Sequence, residues 1–407
     1  MKILFLQKRL LFPHNTGWKI RTLNILRHLA KWHDVTYVCN LLPEERPFCA
    51  PMEALGVRLK SVDWVEYPRR SLQFSIFATQ NLFSGNPLNV DKDFDTRLRQ
   101  LVESEVKTGS YDLLICDFVQ MARNCLGLDL PKLLFQHNVE AEIFERLSRR
   151  SKGIFGSYLG LQAKRMIKFE GAAGKDFDRV VAVSRRDQEQ FENRYNWQHV
   201  GLIETAVDTK YFSPPNPPLA RSGVVFVGSM DWAPNIDGML HFIDRIWPTV
   251  RAEINDAKLV VVGRNPPASL LNRGVNGITI TGTVEDTRPF LASAAVAIVP
   301  LYSGGGTRLK IFESMAMKCP VVSTTLGAEG LKVQAGQQIY IADDDEEFGD
   351  KILKLLRDTE RCEMLSAAAF ELVTKTYASE PVARQFEQHC FDAVATWKAK
   401  KSLSRNG

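Results

Sequence analysis

Short apolar runs alternate with amphipathic stretches along this chain. Lys2 to Leu6 has strand length and is followed by a loop, KRLLFPHNTGWK, then by a stretch from Ile20 to Trp32 with Leu23, Leu26 and Leu29 at helical spacing. Val35 to Cys39 is the next apolar run, and strand, loop, helix, strand in this order opens a parallel α/β sheet. The same pattern predicts a helix over 94–107 and strands over 112–116, 132–135 and 180–183. A second series starts with a strand over 224–227, then a helix over 236–250 and strands over 259–262 and 278–280. Helices over 346–357, 360–374 and 381–398 end the chain, with a basic tail, KAKKSLSR, read as mobile. Between the two series, residues 196–218 hold Pro214, Pro215, Pro217 and Pro218, a density that favours extended chain and marks a boundary.

The stretch 294–331 carries most of the chemistry. It reads as a strand over 295–299, a glycine loop over 303–306, a helix over 307–317 and a strand over 320–324. Leu309, Phe312, Met315 and Ala316 recur at helical spacing, so one face packs on a sheet while the first turn stays open. That turn holds Gly304, Gly305 and Gly306, then Thr307, Arg308 and Lys310. Glycine lets backbone approach a ligand closely, and the free N–H groups of a helix start form an anion site with the helix dipole. Two cations beside it favour a phosphate. A tight strand-to-helix turn with solvated basic residues is the competing account; the strand that follows and the Gly327 loop favour the ligand.

Composition narrows the classes. With 407 residues the chain is long enough for two domains, and 45% hydrophobic with 24% charged residues is the balance of a globular protein. A net charge of +5 permits anionic ligands or a membrane surface without arguing for nucleic acid. Seven scattered cysteines without a CxxC pair favour a reducing compartment over a disulfide scaffold or zinc site. Met1 leads straight into KILFL, and no uninterrupted apolar run is long enough to span a bilayer, so the expectation is a cytoplasmic protein without a signal peptide.

GGGTRLKIFESMAMKCPVVSTTLGAEGL resembles the donor-site signature of family 4 glycosyltransferases, in the branch with a GGGTR loop. The resemblance implies an α/β fold of the GT-B type, two Rossmann-like domains with parallel sheets facing across a cleft. It places an acceptor-side domain over 1–200, completed by the C-terminal helix at about 381–407, and a nucleotide-sugar donor domain over 201–380. The implied activity is retaining transfer of a sugar from a nucleoside-diphosphate sugar to a hydroxyl of a glycan or lipid-linked acceptor, in polysaccharide or glycoconjugate biosynthesis, with no metal or other cofactor. Family members carry a glutamate pair spaced E-x7-E. Glu313 matches the second, which bonds the ribose, and Gly305 stands where the sugar-contacting first is expected. Gly17 corresponds to the glycine of the first loop near the donor phosphate. His137, beyond the strand over 132–135, corresponds to a strand-end histidine beside the transferred sugar and is the candidate catalytic residue. Ser184 matches an "AVS" strand end, and Thr205-Ala206 replaces Asn-Gly at the entry to the second domain. Gly228, Arg264 and Thr281 follow or end the first three strands of that domain, on the expected nucleotide side. Where relatives carry a basic residue after Gly228 this chain has MDWAPNIDG, so Arg308 and Lys310 are expected to supply the charge for the diphosphate.

Several residues keep two readings. Lys19 and Arg21 face the same site or are solvated helix-start residues, the second being favoured. Glu140 and Glu142 suit the start of a helix. Residues 69–90, with Phe74, Ile76, Phe77, Leu82 and Phe83, form a lip for a hydrophobic acceptor or a helix packed on the sheet. The basic stretch 146–168, with Ile154, Phe155, Tyr158 and Leu159, lies on an anionic bilayer at the inner membrane face or is an amphipathic helix with a charged outer face. Arg264 stacks on a base, meets phosphate, or is a surface arginine. The acidic pairs Asp93/Asp95 and Asp176/Asp178 and the run 343–345 have a spacing common by chance and are assigned to no metal. A sugar-nucleotide epimerase or hydrolase of the same architecture, or a noncatalytic sugar-nucleotide binding protein, remains the alternative. Removing the charge at Arg308 is expected to weaken nucleotide binding severalfold in a direct titration, and unchanged affinity would count against the assignment.

Overall fold

Two parallel sheets organise the computed structural model, which describes residues 1–13, 16–68, 71–275, 277–303 and 309–406. The chain divides into two compact units, Met1–Glu204 with Val382–Gly407, and Thr205–Pro381. The first unit contains β1 (Lys2–Gln7), β2 (Asp34–Leu41), β3 (Arg58–Asp63), β4 (Leu113–Asp117), β5 (Lys132–Phe135), β6 (Arg179–Ala182) and β7 (Val200–Leu202). They lie in the order β3-β2-β1-β4-β5-β6-β7, all parallel. The second contains β8 (Val224–Val227), β9 (Leu259–Val262), β10 (Ile278–Gly282), β11 (Val296–Val299), β12 (Val321–Ser323) and β13 (Tyr340–Ile341). Their order is β10-β9-β8-β11-β12-β13, again parallel.

In each sheet the order of strands reverses once, between β1 and β4 and between β8 and β11. Connections leave to opposite faces there, so a crevice opens beyond the carboxyl ends of the strands. Helices cover both faces, which is why the central strands are continuous apolar runs. In the first unit Leu4, Leu6, Leu114, Cys116 and Leu134 pack with Leu98, Val102 and Met166. In the second, Phe226 and Ile298 meet Phe242, Ile246 and Phe348, while Ile311, Phe312 and Met315 of the helix Leu309–Ala316 cover Val299 and Val321 on another face.

The structure departs from the predicted elements where local chemistry or an edge position decides. β3 carries an exposed, mixed pattern on the sheet edge, and β7 and β13 are three and two residues long, so none of the three has a strand signature of its own. The helix expected over 94–107 is found as Thr96–Gly109, beginning two residues later because Phe94 is extended and the Asp95 carboxylate accepts from the Arg97 N–H as a cap; a short helix not expected from the sequence, Leu88–Asp93, precedes it. The basic stretch 146–168 belongs to two helices, Glu140–Arg150 and Gly153–Gly174. The helix expected over 236–250 begins at Ala233 and loosens into a π-turn at Phe242–Ile246, ahead of Pro248, which has no N–H to give. The terminal tail is helical: Ser379–Asn406 is one helix, and Lys400 and Lys401 pair with Asp178 at 2.9 Å and Asp129 at 2.5 Å. All seven cysteines are free thiols. No described helix is long and apolar enough to cross a membrane.

Candidate functional site

At the carboxyl ends of the first sheet the chain buries a carboxylate. Asp117, the last residue of β4, is fully buried and accepts from Gln7 Nε2 at the end of β1, from Thr22 Oγ1 at 2.7 Å and from His137 Nε2 at 2.7 Å. Arg21 Nη1 lies 3.1 Å from His137 Nδ1. A guanidinium only donates, so Nδ1 accepts and the ring proton sits on Nε2, directed at Asp117. Burial pulls the His137 pKa below its ordinary value against the opposing pull of Asp117, so the ring is neutral near pH 7. Burial also brings Arg21 down to about 10, with Asp187 and Asp117 opposing. Phe118 stacks on the imidazole and Phe135 packs against it at a tilt, each with its ring centre 4.4 Å away. Phe118 reaches that position with φ 75°, a backbone conformation costing a non-glycine residue about 1–3 kcal/mol. Lys8, beyond β1, sits over the rings of Phe118 and Trp18.

Lys19 and Arg21 are therefore not solvated helix-start residues. Helix Gly17–Trp32 turns both inward, Lys19 to a buried pair with Glu45 at 3.7 Å and Arg21 to His137. Gly17 itself opens the helix in an exposed position where a Cβ would meet nothing. Glu142 pairs with Arg146 at 2.7 Å and with Arg186. Glu140 starts its helix, but the helix's free amides are met by another residue. Glu170, fully buried, accepts from the N–H groups of Glu140 at 3.1 Å and Ala141 at 3.4 Å, from Gln136 Nε2 at 3.1 Å and from the Tyr195 hydroxyl at 2.7 Å. Burial pushes the Glu170 carboxyl up to about 7.

The second unit assembles its polar groups at the matching place, beyond β8 and β9. A Cβ on Gly228 would lie 2.5 Å from Lys310 Nζ and 2.9 Å from Asn235 Nδ2, so glycine there is what lets both side chains reach the strand end. Lys310 Nζ donates to Asn235 Oδ1 at 2.9 Å and stands over the Phe226 ring, while Asn235 Nδ2 donates to the Ser229 carbonyl at 2.7 Å. Arg264 bonds the Ser229 hydroxyl at 2.9 Å and pairs with Asp231 at 3.1 Å. Gly263 permits the approach of β9 to β8, since a Cβ on it would stand 1.8 Å from the Gly228 carbonyl oxygen. Thr281, near the end of β10, turns its hydroxyl to the Gly282 carbonyl at 3.0 Å.

Glu313 sits one turn beyond Lys310 on the same helix. Its carboxyl is half-buried and pushed up to about 7 by burial, with Lys310 opposing. Among the described residues no side chain donates a hydrogen bond to it. Gly304, Gly305, Gly306, Thr307 and Arg308 lie outside the described residues.

The structure thus gathers Gly228, Arg264 and Lys310 at the ends of β8 and β9, with Glu313 on the Lys310 helix. It groups His137 with Asp117, Thr22 and Arg21 in the other unit. Sequence reasoning missed Asp117, Thr22, Asn235 and Asp231. For Asp117 a signal existed: the run LLICD ends an apolar strand in a carboxylate, which only a set of donors can make tolerable.

Residues 17–211 match the family "Glycosyltransferase Family 4", and residues 221–358 match the family "Glycosyl transferases group 1". An uncharacterized 44.6 kDa protein in the cps region of Klebsiella pneumoniae is 24% identical over 387 residues, 91% of this chain and 95% of its own. Among solved structures, sucrose-phosphate synthase from Thermosynechococcus elongatus superimposes with a TM-score of 0.63 at 16% identity, over 95% of this chain and 98% of that one. HepE from Anabaena, solved in complex with UDP, gives 0.64 at 14% identity, over 95% and 99%. These structural likenesses show a shared fold. Gly263→Ala is expected to cost about 1–3 kcal/mol by forcing β8 and β9 apart at their ends, read as a lowered midpoint in thermal unfolding.

Proposed function

We propose how the work divides in this protein, which is a glycosyltransferase of the GT-B fold: the second unit holds the sugar nucleotide and the first receives the acceptor. The enzyme transfers a sugar in glycoconjugate biosynthesis. The observation that carries the assignment of the nucleotide is the pair Lys310 and Glu313 on one short helix, with the ammonium at the bare backbone of Gly228 and the carboxylate without a described donor. A ribose offers two hydroxyl donors to such a carboxylate, and a diphosphate offers negative charge to the ammonium. The donor is a nucleoside-diphosphate sugar, and the complexes of HepE with UDP and with UDP-glucose support uridine as the base.

During transfer the bond from the anomeric carbon to the diphosphate oxygen breaks, a bond to the acceptor oxygen forms on the same face of the sugar, and the acceptor's hydroxyl proton passes to the departing diphosphate. Negative charge grows on the departing diphosphate, where Lys310 is held in advance by Asn235 and Arg308 is expected to join it. Arg264 is engaged by Asp231 and Ser229, which supports a part in shaping the loop after β8. His137, neutral and bonded through both nitrogens, acts as a positioning residue that sets the end of β5 on the acceptor side.

The acceptor is a glycan or lipid-linked hydroxyl, and the relative in a cps region supports polysaccharide assembly. The proposal includes a cytoplasmic enzyme touching an anionic bilayer peripherally. Phe83 and Ile154, 90% and 92% exposed, support this contact, as do the basic residues Arg149 and Lys152 near Ile154 in sequence.

A screen of sugar nucleotides against glycan acceptors, with the product's anomeric configuration read by NMR, is expected to show acceptor-dependent transfer with retention. Donor breakdown equally fast without acceptor would argue for a hydrolase. UDP affinity is expected to rise as pH increases through about 7, because only the ionised Glu313 carboxylate accepts from both ribose hydroxyls with full charge, and burial holds its carboxyl protonated below that point. Glu313→Gln should weaken UDP about tenfold or more and flatten that pH dependence; an unchanged profile would remove Glu313 from the site.

A further inference from the structure

The second unit carries a groove at the amino end of its edge strand, away from the site beyond β8 and β9. Ile278, the first residue of β10, forms part of it, whereas Gly228 and Arg264 follow the carboxyl ends of their strands. The groove has a volume of about 530 Å3 and runs between the helical segment 242–253 and residues 272–278. Its apolar wall is Ile243, Trp247, Pro248, Val275 and Ile278, and its polar groups are Arg251, Asn272 and Arg273. A few polar groups set in an apolar wall, enclosing a few hundred Å3, is the make-up of a small-molecule site.

The two arginines are not equivalent. Arg273 gives Nε and Nη2 to Asp244, each at 2.8 Å, and Nη1 to the Ser269 carbonyl at 2.6 Å, so its charge is met. Arg251 gives Nη1 to the Ala257 carbonyl at 2.9 Å and pairs with no carboxylate among the described residues. Glu253, two residues further along, pairs with Arg357 at 2.7 Å instead. The reach of Arg251 is built into the backbone: a Cβ on Gly277, which has φ 81°, would stand 2.9 Å from Nη1 and 2.8 Å from the Ala257 carbonyl oxygen. No acidic residue is among the described residues that line the groove, so the charge it offers is a single positive one. Beside it Val275 is 57% and Leu271 50% exposed. A stable protein interface takes about 800 Å2 from each partner, far more than two such side chains supply, so the groove suits a small ligand better than a protein partner.

We propose that this groove binds a small carboxylate with a hydrocarbon or aromatic body, its carboxylate on the Arg251 guanidinium and its body against Trp247, Pro248 and Val275. Arg251 keeps Nε and Nη2 for such a ligand, and that edge of a guanidinium matches the two oxygens of a carboxylate. The apolar body is required as well, because an ion pair open to water contributes little by itself, and each buried CH2 adds to binding. The site is separate from the one that holds the sugar nucleotide, and the inference does not depend on that assignment.

The test uses the full chain and saturation-transfer NMR titrations of 2-naphthoate and octanoate, with 2-naphthylmethylammonium as the cationic control. At least one of the two acids is expected to bind and the ammonium not to bind. Arg251→Gln should weaken the acid about tenfold or more, as the loss of a charge-assisted hydrogen bond pair does. Val275→Glu, a change at an exposed position, should remove binding by putting a like charge at the groove's edge. Circular dichroism shows that both variants are folded, and UDP in excess is expected to leave the acid bound. Neither acid bound, binding unchanged in both folded variants, the ammonium bound as well as the acid, or the acid displaced by UDP would each overturn the proposal. A UDP titration of the same samples keeps the two readings apart: acid bound without UDP counts against the donor assignment alone, and UDP bound without either acid against this proposal alone.

Discussion

A carboxylate cannot be taken from water into a sheet interior unless donors replace the water it loses. Asp117 is such a carboxylate, and the three groups that meet it arrive from the end of β1, from the helix Gly17–Trp32 and from the residue pair after β5. Satisfying one buried charge therefore sets three segments in register at the place where the strand order reverses. Arg21 closes the set by donating to the far side of His137, which leaves the imidazole no freedom of tautomer. The strained backbone at Phe118 follows from the same demand, since its ring must cover the imidazole directly after the strand has ended.

The second unit solves a different problem, bringing a positive charge to a strand end with no side chain in the way. Gly228 and Gly263 remove the two Cβ atoms that would stand between β8, β9 and Lys310. Asn235 then holds the ammonium, and Asp231 engages Arg264, so the nearby cations are not equivalent. The contrast with the first unit is physical. A buried ion network gives a rigid floor, whereas an ammonium above bare backbone and a carboxyl raised toward neutrality remain responsive to a ligand.

Part of this was legible in residue order. Gly228, Lys310 and Glu313 stand in or next to a glycine-rich, basic, amphipathic stretch, and that local pattern has few structural uses. His137 was legible as a polar residue just beyond an apolar run. Lys19 and Arg21 were misread because a cation near a helix start is ordinarily solvated, and their anionic partners, Glu45 and the Asp117 and Asp187 carboxylates, lie far away in the chain. The start of the helix expected over 94–107 moves two residues, a local matter that apolar spacing overlooked: Asp95 caps the helix by accepting from the Arg97 N–H while Phe94 stays extended.

Sequence alone determined the alternation of buried strands and amphipathic helices, and with it two parallel sheets, because hydrophobic period and strand length are local properties. It also determined the chemistry available after β11, since glycine, cation and carboxylate recur there within ten residues. What only the tertiary structure decided is pairing. Which carboxylate neutralises which cation, and on which nitrogen His137 carries its proton, both depend on segments dozens of residues apart meeting at strand ends. Coulomb and hydrogen-bond energies act over a few ångströms of space, and residue order does not specify those distances until the sheet has formed.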